Sequence, residues 1–222
     1  MKNLRLTLLL VLVAGVLSFF SFKNPEVKVS KTFVAAYAAD TYKVNAQQSK
    51  VEWSGKKVAY GHNGTVDLAE GELQIDKNKL TGGKFTIDMT SIKNVDLTDA
   101  EKNANLVGHL KSDDFFSVEK YPTATLNITS VKAIKKPEAG KPNYEVTGDL
   151  TIKGKTNPVT FPALVTVEKD KATASAKIVV DRSKYDVRYG SDSFFDNLGD
   201  KVIMDEFELN VNLVAAKFVA SN

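Results

Sequence analysis

Side chains suited to covalent or metal chemistry are scarce in this sequence. Cysteine is absent, which excludes thiolate zinc sites, iron–sulfur clusters, disulfide frameworks, a cysteine nucleophile and a lipidated N-terminal cysteine. Only two histidines occur, His62 and His109, and neither has a histidine partner at metal-ligand spacing. His62 precedes Asn63-Gly64, a turn-forming pair, and His109 falls near the end of a predicted helix, where imidazole can bond the last carbonyls. Gly154-Lys155-Thr156 ends like a phosphate loop, but the gap back to Gly148 is one residue longer than such a loop allows. No Gly-x-Ser-x-Gly elbow supports a serine hydrolase. The polar cluster most worth following is Arg182, Tyr185 and Arg188, where an arginine could hold a quinone, carboxylate or phosphate head group. The competing reading is an outward ion pair with Asp181 or Asp186. Asp205 interrupts the apolar series Ile203, Phe207, Leu209, either at a strand end or as the partner of an inward cation.

The elements that must position these groups are strands. Period-two alternation runs through Val51-Trp53-Gly55, Val66-Leu68, Leu73-Ile75, Phe85-Ile87-Met89, Ala124-Leu126-Ile128 and Tyr144 to Ile152. It resumes over 159–167, at Ala172 to Val180, and from Ile203 through Leu213. The phase slips around Ala69–Gly71, which predicts a β-bulge. Asp76-Lys77-Asn78 and Lys169-Asp170 read as short turns, so neighbouring strands are antiparallel. One helix interrupts the series: Thr98-Asp99-Ala100-Glu101 reads as a capping box, with Ala100, Ala104, Val107 and Leu110 on one face. A short helical turn is expected at 193–198, with Ser191 and Ser193 capping it. The fold class predicted is all-β, an antiparallel up-and-down barrel of about eight strands, because closure removes exposed edges.

The N-terminus is a separate matter. A basic start is followed by a largely apolar run of 17 residues, Leu6–Phe22, the order of a secretory signal and also the lower limit for a spanning helix. We therefore expect residues 1–22 to be a signal peptide or membrane anchor, residues 23–39 a linker and residues 40–222 the domain. The whole chain carries a formal charge of +3, yet residues 40–222 hold 25 basic and 26 acidic side chains. The basic excess belongs to the leader, which removes the charge argument for nucleic-acid binding.

Three stretches together resemble the YceI-like, polyisoprenoid-binding family. They are His109-Leu110-Lys111-Ser112-Asp113-Asp114-Phe115-Phe116 running on to Tyr121-Pro122, Val146 to Thr156 followed by Pro158-Val159, and Asp181 to Gly190. The terminal strand 203–215 completes a match over about residues 41–216. The resemblance implies an extended lipocalin-like barrel, a periplasmic or secreted carrier for a long isoprenoid or similar amphiphile, and neither catalysis nor a cofactor.

Ala172, Ala174 and Ala176 place small side chains in a row, and Gly55 and Gly148 add to the deficit of volume. Periodicity alone leaves open whether larger neighbours fill that space or an apolar ligand does. The lumen is expected at Trp53, Phe85, Ile87, Met89, Phe115, Phe116, Leu126, Ile128, Leu150, Ile152, Ala174, Ala176, Ile178, Phe207 and Leu209, with Arg182, Tyr185 and Arg188 near a head group. The partner expected is an isoprenoid or other long-chain lipid, without nucleic acid or metal, and with membrane contact only through an uncleaved N-terminus. A homodimer is left open. Two other functions stay in view: an envelope interaction module with a filled barrel and a binding loop at Lys132–Lys141, and an enzyme using Arg182 or His109.

Overall fold

Alternation dominates the sequence because each strand turns one face to a shared interior and the other to water. In the computed structural model, which describes residues 39–219, nine strands form. They are β1 (Asp40–Val44), β2 (Lys50–Lys57), β3 (Gly61–Asp76), β4 (Lys79–Asn94), β5 (Thr123–Ala133), β6 (Tyr144–Ile152), β7 (Lys155–Glu168), β8 (Lys171–Asp181) and β9 (Ile203–Lys217). Among the described residues one α-helix forms, α1 (Ala100–Lys111), which joins β4 to β5. From β2 onward each strand pairs antiparallel with its sequence neighbours, and β9 pairs back with β2. The result is the closed eight-stranded barrel that the sequence predicts. The expected leader and most of the linker lie outside the described residues. Among the described residues, no helix is long and apolar enough to cross a membrane.

β1 lies in the same lane as β2. It pairs with β3 at Glu72–Ile75 and with β9 at Ala215–Lys217, while β2 pairs with both strands nearer the other end. A 3₁₀ turn at Ala46–Gln48 separates the two, capped by the Asn45 side chain, which accepts from the Gln47 and Gln48 amides. Across the break Ser49 Oγ accepts from Val214 N–H, so the ladder loses little. At this lower end Tyr42, Leu73, Ile75, Leu80, Ala172 and Ala215 are all buried, and the Tyr42 hydroxyl donates to the Lys169 carbonyl. The upper end carries the β2–β3 turn, α1, the β6–β7 turn and the long β8–β9 connection.

The turn at Asp76–Asn78 forms as expected, with Lys77 and Asn78 both left-handed between the paired residues Asp76 and Lys79. The bulge at Ala69 also forms, since Leu68 pairs with Ile87 and Glu70 with the adjacent Thr86. The expected turn at His62-Asn63-Gly64 does not form. Those residues lie inside β3, and the chain reverses earlier, at Val58–Tyr60. Gly64 is there for close approach: a Cβ would fall 1.8 Å from the Lys93 carbonyl oxygen and 2.7 Å from the Trp53 ring.

The helix also differs in detail. Asp99, not Thr98, is the N-cap and accepts from Lys102 N–H. Ala100 and Ala104 are exposed, and the inward residues are Leu106 and Leu110. Asn103 sets this rotation by donating to the Asn94 and Leu97 carbonyls and the Asn94 side chain. Of the helical turn expected at 193–198, one turn forms slightly earlier, where the Phe194 and Phe195 amides donate to the Ser191 carbonyl, and 3₁₀ turns lie on either side at Arg182–Tyr185 and Gly199–Lys201. Ser191 still bonds locally, its Oγ accepting from Ser193 N–H.

Gly64→Ala drives a methyl group into backbone and indole at once. It should lower unfolding stability by about 1–3 kcal/mol, read as a reduced urea midpoint with unchanged slope.

Candidate functional site

The interior is not filled. Two cavities lie one above the other in the barrel, of about 270 Å³ at the upper end and about 90 Å³ below it. Val51, Ile87, Leu150 and Leu209 line both, so they form a waist between two chambers of one lumen. The fifteen residues expected at the lumen all line one chamber or the other. Trp53, Met89, Phe115, Phe116, Ile152 and Phe207 line the upper chamber, and Phe85, Leu126, Ile128, Ala174, Ala176 and Ile178 the lower. Ile87, Leu150 and Leu209 belong to the waist.

Cross-strand pairing explains the lower chamber. Ala176 pairs with Ala163 on β7, so two small side chains face one another there, and Ala174 pairs with Val165. Gly148 contributes no space, contrary to expectation. It lets β5 approach closely, because a Cβ there would lie 2.9 Å from both the Asn127 carbonyl oxygen and Leu126 Cδ1. Gly55 does line the upper chamber, with no atom beyond its chain neighbours within 4 Å of where its Cβ would stand.

The rim of the upper chamber is polar and carries both histidines. His62 bonds through Nδ1 to Asp96, 2.8 Å away, and Asp96 also accepts from the Asn63 amide and the Asn94 side chain. Burial alone would raise the Asp96 pKa, but these hydrogen bonds outweigh it and hold the carboxyl below its ordinary value. His109 does not serve the helix carbonyls. It pairs with Asp114 at 3.2 Å, and its ring meets Phe115 and Tyr189 edge-on. Among the described residues, no group of His, Asp and Glu side chains is placed to hold a metal ion.

Of the three head-group candidates, only Arg182 reaches the cavity wall. It is 4% exposed, and its guanidinium donates to the carbonyls of Val187, Tyr189, Ile203 and Met204. Asp205 lies 3.4 Å from it and accepts from Ser193, which explains the charge interrupting the apolar series on β9. Burial pushes the Arg182 pKa down, and Asp205, Asp181 and Asp192 oppose that shift. With its donors committed to backbone, Arg182 fastens the β8–β9 connection to the start of β9 rather than offering free N–H groups to a ligand. Arg188 points outward, pairs with Asp186 and lies over the Phe194 ring. Tyr185 lines neither chamber; it is 1% exposed, and its hydroxyl has no hydrogen-bond partner among the described residues.

An apolar lumen in a closed eight-stranded barrel, with a helix across one end, invites comparison with known proteins. The sequence pattern of the YceI-like domain matches residues 42–215. The chain belongs to the YceI-like family. Relatives include UPF0312 proteins of Pseudomonas putida (35% identity over 131 residues, 58% of this chain) and Shewanella denitrificans (32% over 130 residues, 58% of this chain). The chain spans 62% and 61% of the lengths of those two relatives. BcnA of Burkholderia cenocepacia has the same fold, with a TM-score of 0.60 and 28% identity over 78% of this chain and 99% of its own. A polyisoprenoid binding domain from Saccharophagus degradans shares the fold at a TM-score of 0.57 and 15% identity, over 82% of this chain and all of its own.

Within this YceI-like barrel, sequence reasoning missed most of the upper rim. Leu106 and Met204 fall outside regular alternation, and Lys57, Tyr60 and His62 belong to a hairpin whose turn was displaced. The inward position of Leu106 is legible only once Asn103 orients the helix.

Burial, with the nearby charge of Asp181, pushes the Tyr185 phenol up from 10.0 to about 12. The unfolded chain then ionises first, so stability falls as pH rises from about 10 toward 12. Tyr185→Phe should abolish that fall in urea titrations. It should also raise stability at neutral pH by about 1 kcal/mol, because the hydroxyl it removes is buried without a partner.

Proposed function

We propose that this protein is an exported binding protein that holds a long apolar amphiphile, a polyisoprenoid, isoprenoid quinone or similar lipid, inside its barrel for storage or transport. The observation that carries the reading is the two-chambered lumen, walled by Trp, Phe, Ile, Leu, Met and Ala and opening toward a polar rim. Such a wall attracts a hydrocarbon tail at roughly 25 cal/mol per Å² of apolar area buried, before the cost of ordering the ligand. Two chambers stacked along the barrel favour an elongated chain over a compact molecule. Family membership and the fold shared with a polyisoprenoid binding domain support the same reading. Periplasmic or secreted location, with or without retention by the N-terminal segment, rests on the basic and apolar order of residues 1–22. The cavities speak against the alternative of a solid barrel acting only through its loops.

The lumen has the residues of a container rather than of a reaction centre. Apart from Ser175 in the lower chamber its polar groups sit at the rim, and the most buried of these, Arg182, is committed to backbone carbonyls and Asp205. We therefore assign binding, not turnover.

Native mass spectrometry of the mildly purified chain should show a co-purifying lipid, and added polyprenyl alcohols should raise the melting temperature. A clean ligand-free protein with no thermal shift would overturn the reading. Ala174→Leu with Ala176→Leu should fill the lower chamber and exclude about three methylenes of tail. The expected loss is about 2 kcal/mol of binding, roughly thirtyfold in affinity, without loss of fold.

A further inference from the structure

The rim of the upper chamber has an unbalanced chemistry. Lys56, Lys57, His62, His109 and Arg182 line it, together with Tyr60 and Tyr189, while no Asp or Glu lines either chamber. The carboxylates that answer these groups, Asp96, Asp114 and Asp205, stand outside the lining. Arg182 has spent its donors on carbonyls. Glu208 of β9 pairs with Lys177, so among the described residues neither Lys56 nor Lys57 has a carboxylate within salt-bridge distance.

Lys57 follows Val51, Trp53 and Gly55 along β2, past a shift of register with β9 between Gly55 and Lys57, and lines the upper chamber beside Lys56. Its Nζ lies 5.4 Å from the centre of the Tyr60 ring, at the same end of the hairpin. His62 pairs directly across the ladder from Gly55. The ionised Asp96 can only accept, so His62 Nδ1 must donate to it, and Nε2 has no partner among the described residues. Between these groups lies the open notch over Gly55, where no atom beyond its chain neighbours approaches within 4 Å of a Cβ position. Trp53, two residues back on β2, walls the chamber below the notch.

From this arrangement we infer that the notch at Gly55 is a head-group site for an anionic amphiphile, a phosphate or carboxylate at the end of the apolar tail, contacted by Lys57 and His62. The inference rests on the reading that a tail occupies the lumen, and it adds the charge of the head. Lys57 supplies an ammonium without a carboxylate partner, and Nε2 of His62 is the ring nitrogen left over by the bond to Asp96, a donor to an anion only in the imidazolium form. A neutral head group would leave the Lys57 ammonium to water and the Tyr60 ring.

Trp53 is the only tryptophan and lines the chamber, so its fluorescence reports occupancy in the full chain without a label. Farnesyl phosphate, farnesoic acid and farnesol share one tail and differ only in head group. At low ionic strength one or both anions should bind about tenfold tighter than farnesol, and salt should erode that advantage. The stronger of the two names the head group as phosphate or carboxylate. Lys57→Met should remove most of the preference, His62→Gln part of it, and Gly55→Val should weaken the anions by filling the notch. Farnesol binding should survive both Lys57→Met and His62→Gln.

Equal affinities for all three probes, or a preference that survives both substitutions, would overturn the head-group site while leaving the lipid-binding reading intact. If no probe binds, both fall together.

Discussion

The hydrogen-bonded closure of β9 onto β2 is the constraint on which the rest of this protein depends. An open sheet must cover its edges and pack its face against another layer, which fills the interior. A closed ladder satisfies its own backbone groups, so the lumen can stay apolar and partly empty at modest cost. Eight strands place the walls far enough apart to leave space wherever small side chains meet. That is the situation at Ala176 and Ala163, and it is why a row of alanines matters here and would be unremarkable on an open surface.

Closure leaves the two ends to be managed, and the chain treats them differently. At the lower end β1 extends the lane of β2, and the buried Tyr42 is tied to Lys169, so the barrel stops in packed side chains. At the upper end the long connections carry the polar groups. Asn94 and Asn103 fix α1 over the rim, and Arg182 gathers carbonyls from the β8–β9 connection and from the start of β9. These buried polar groups hold the mouth in one shape. A site that admits a hydrocarbon needs rigid walls, because a wall able to collapse would fill the space itself.

Much of the wall was legible in the residues. Alternation over Phe85-Ile87-Met89 or Ala124-Leu126-Ile128 specifies which side chains share a face, and the turn at Lys77-Asn78 specifies that neighbours are antiparallel. Where reasoning failed, the cause was a contact distant in sequence. Asn63-Gly64 has the composition of a turn, but Gly64 is required by Lys93 and Trp53, which reach it across the sheet. Arg182 resembles a surface arginine among Asp181, Lys184 and Asp186; only the return of β9 brings the Ile203 and Met204 carbonyls to it. Gly148 looked like missing volume and is instead the clearance that lets β5 and β6 pair closely.

Local chemistry along the chain specified the strands, their antiparallel order and the identity of the inward faces, because side-chain period and turn residues act between near neighbours. Tertiary structure decided which of the small residues opens a space and which merely clears a backbone. It also decided which cations are neutralised and which stand free at the rim. Those outcomes depend on what arrives from other strands, at distances of a few ångströms that no local pattern encodes. Gly55 and Gly148 are alike in sequence terms, yet one borders the lumen and the other is closed by its neighbours.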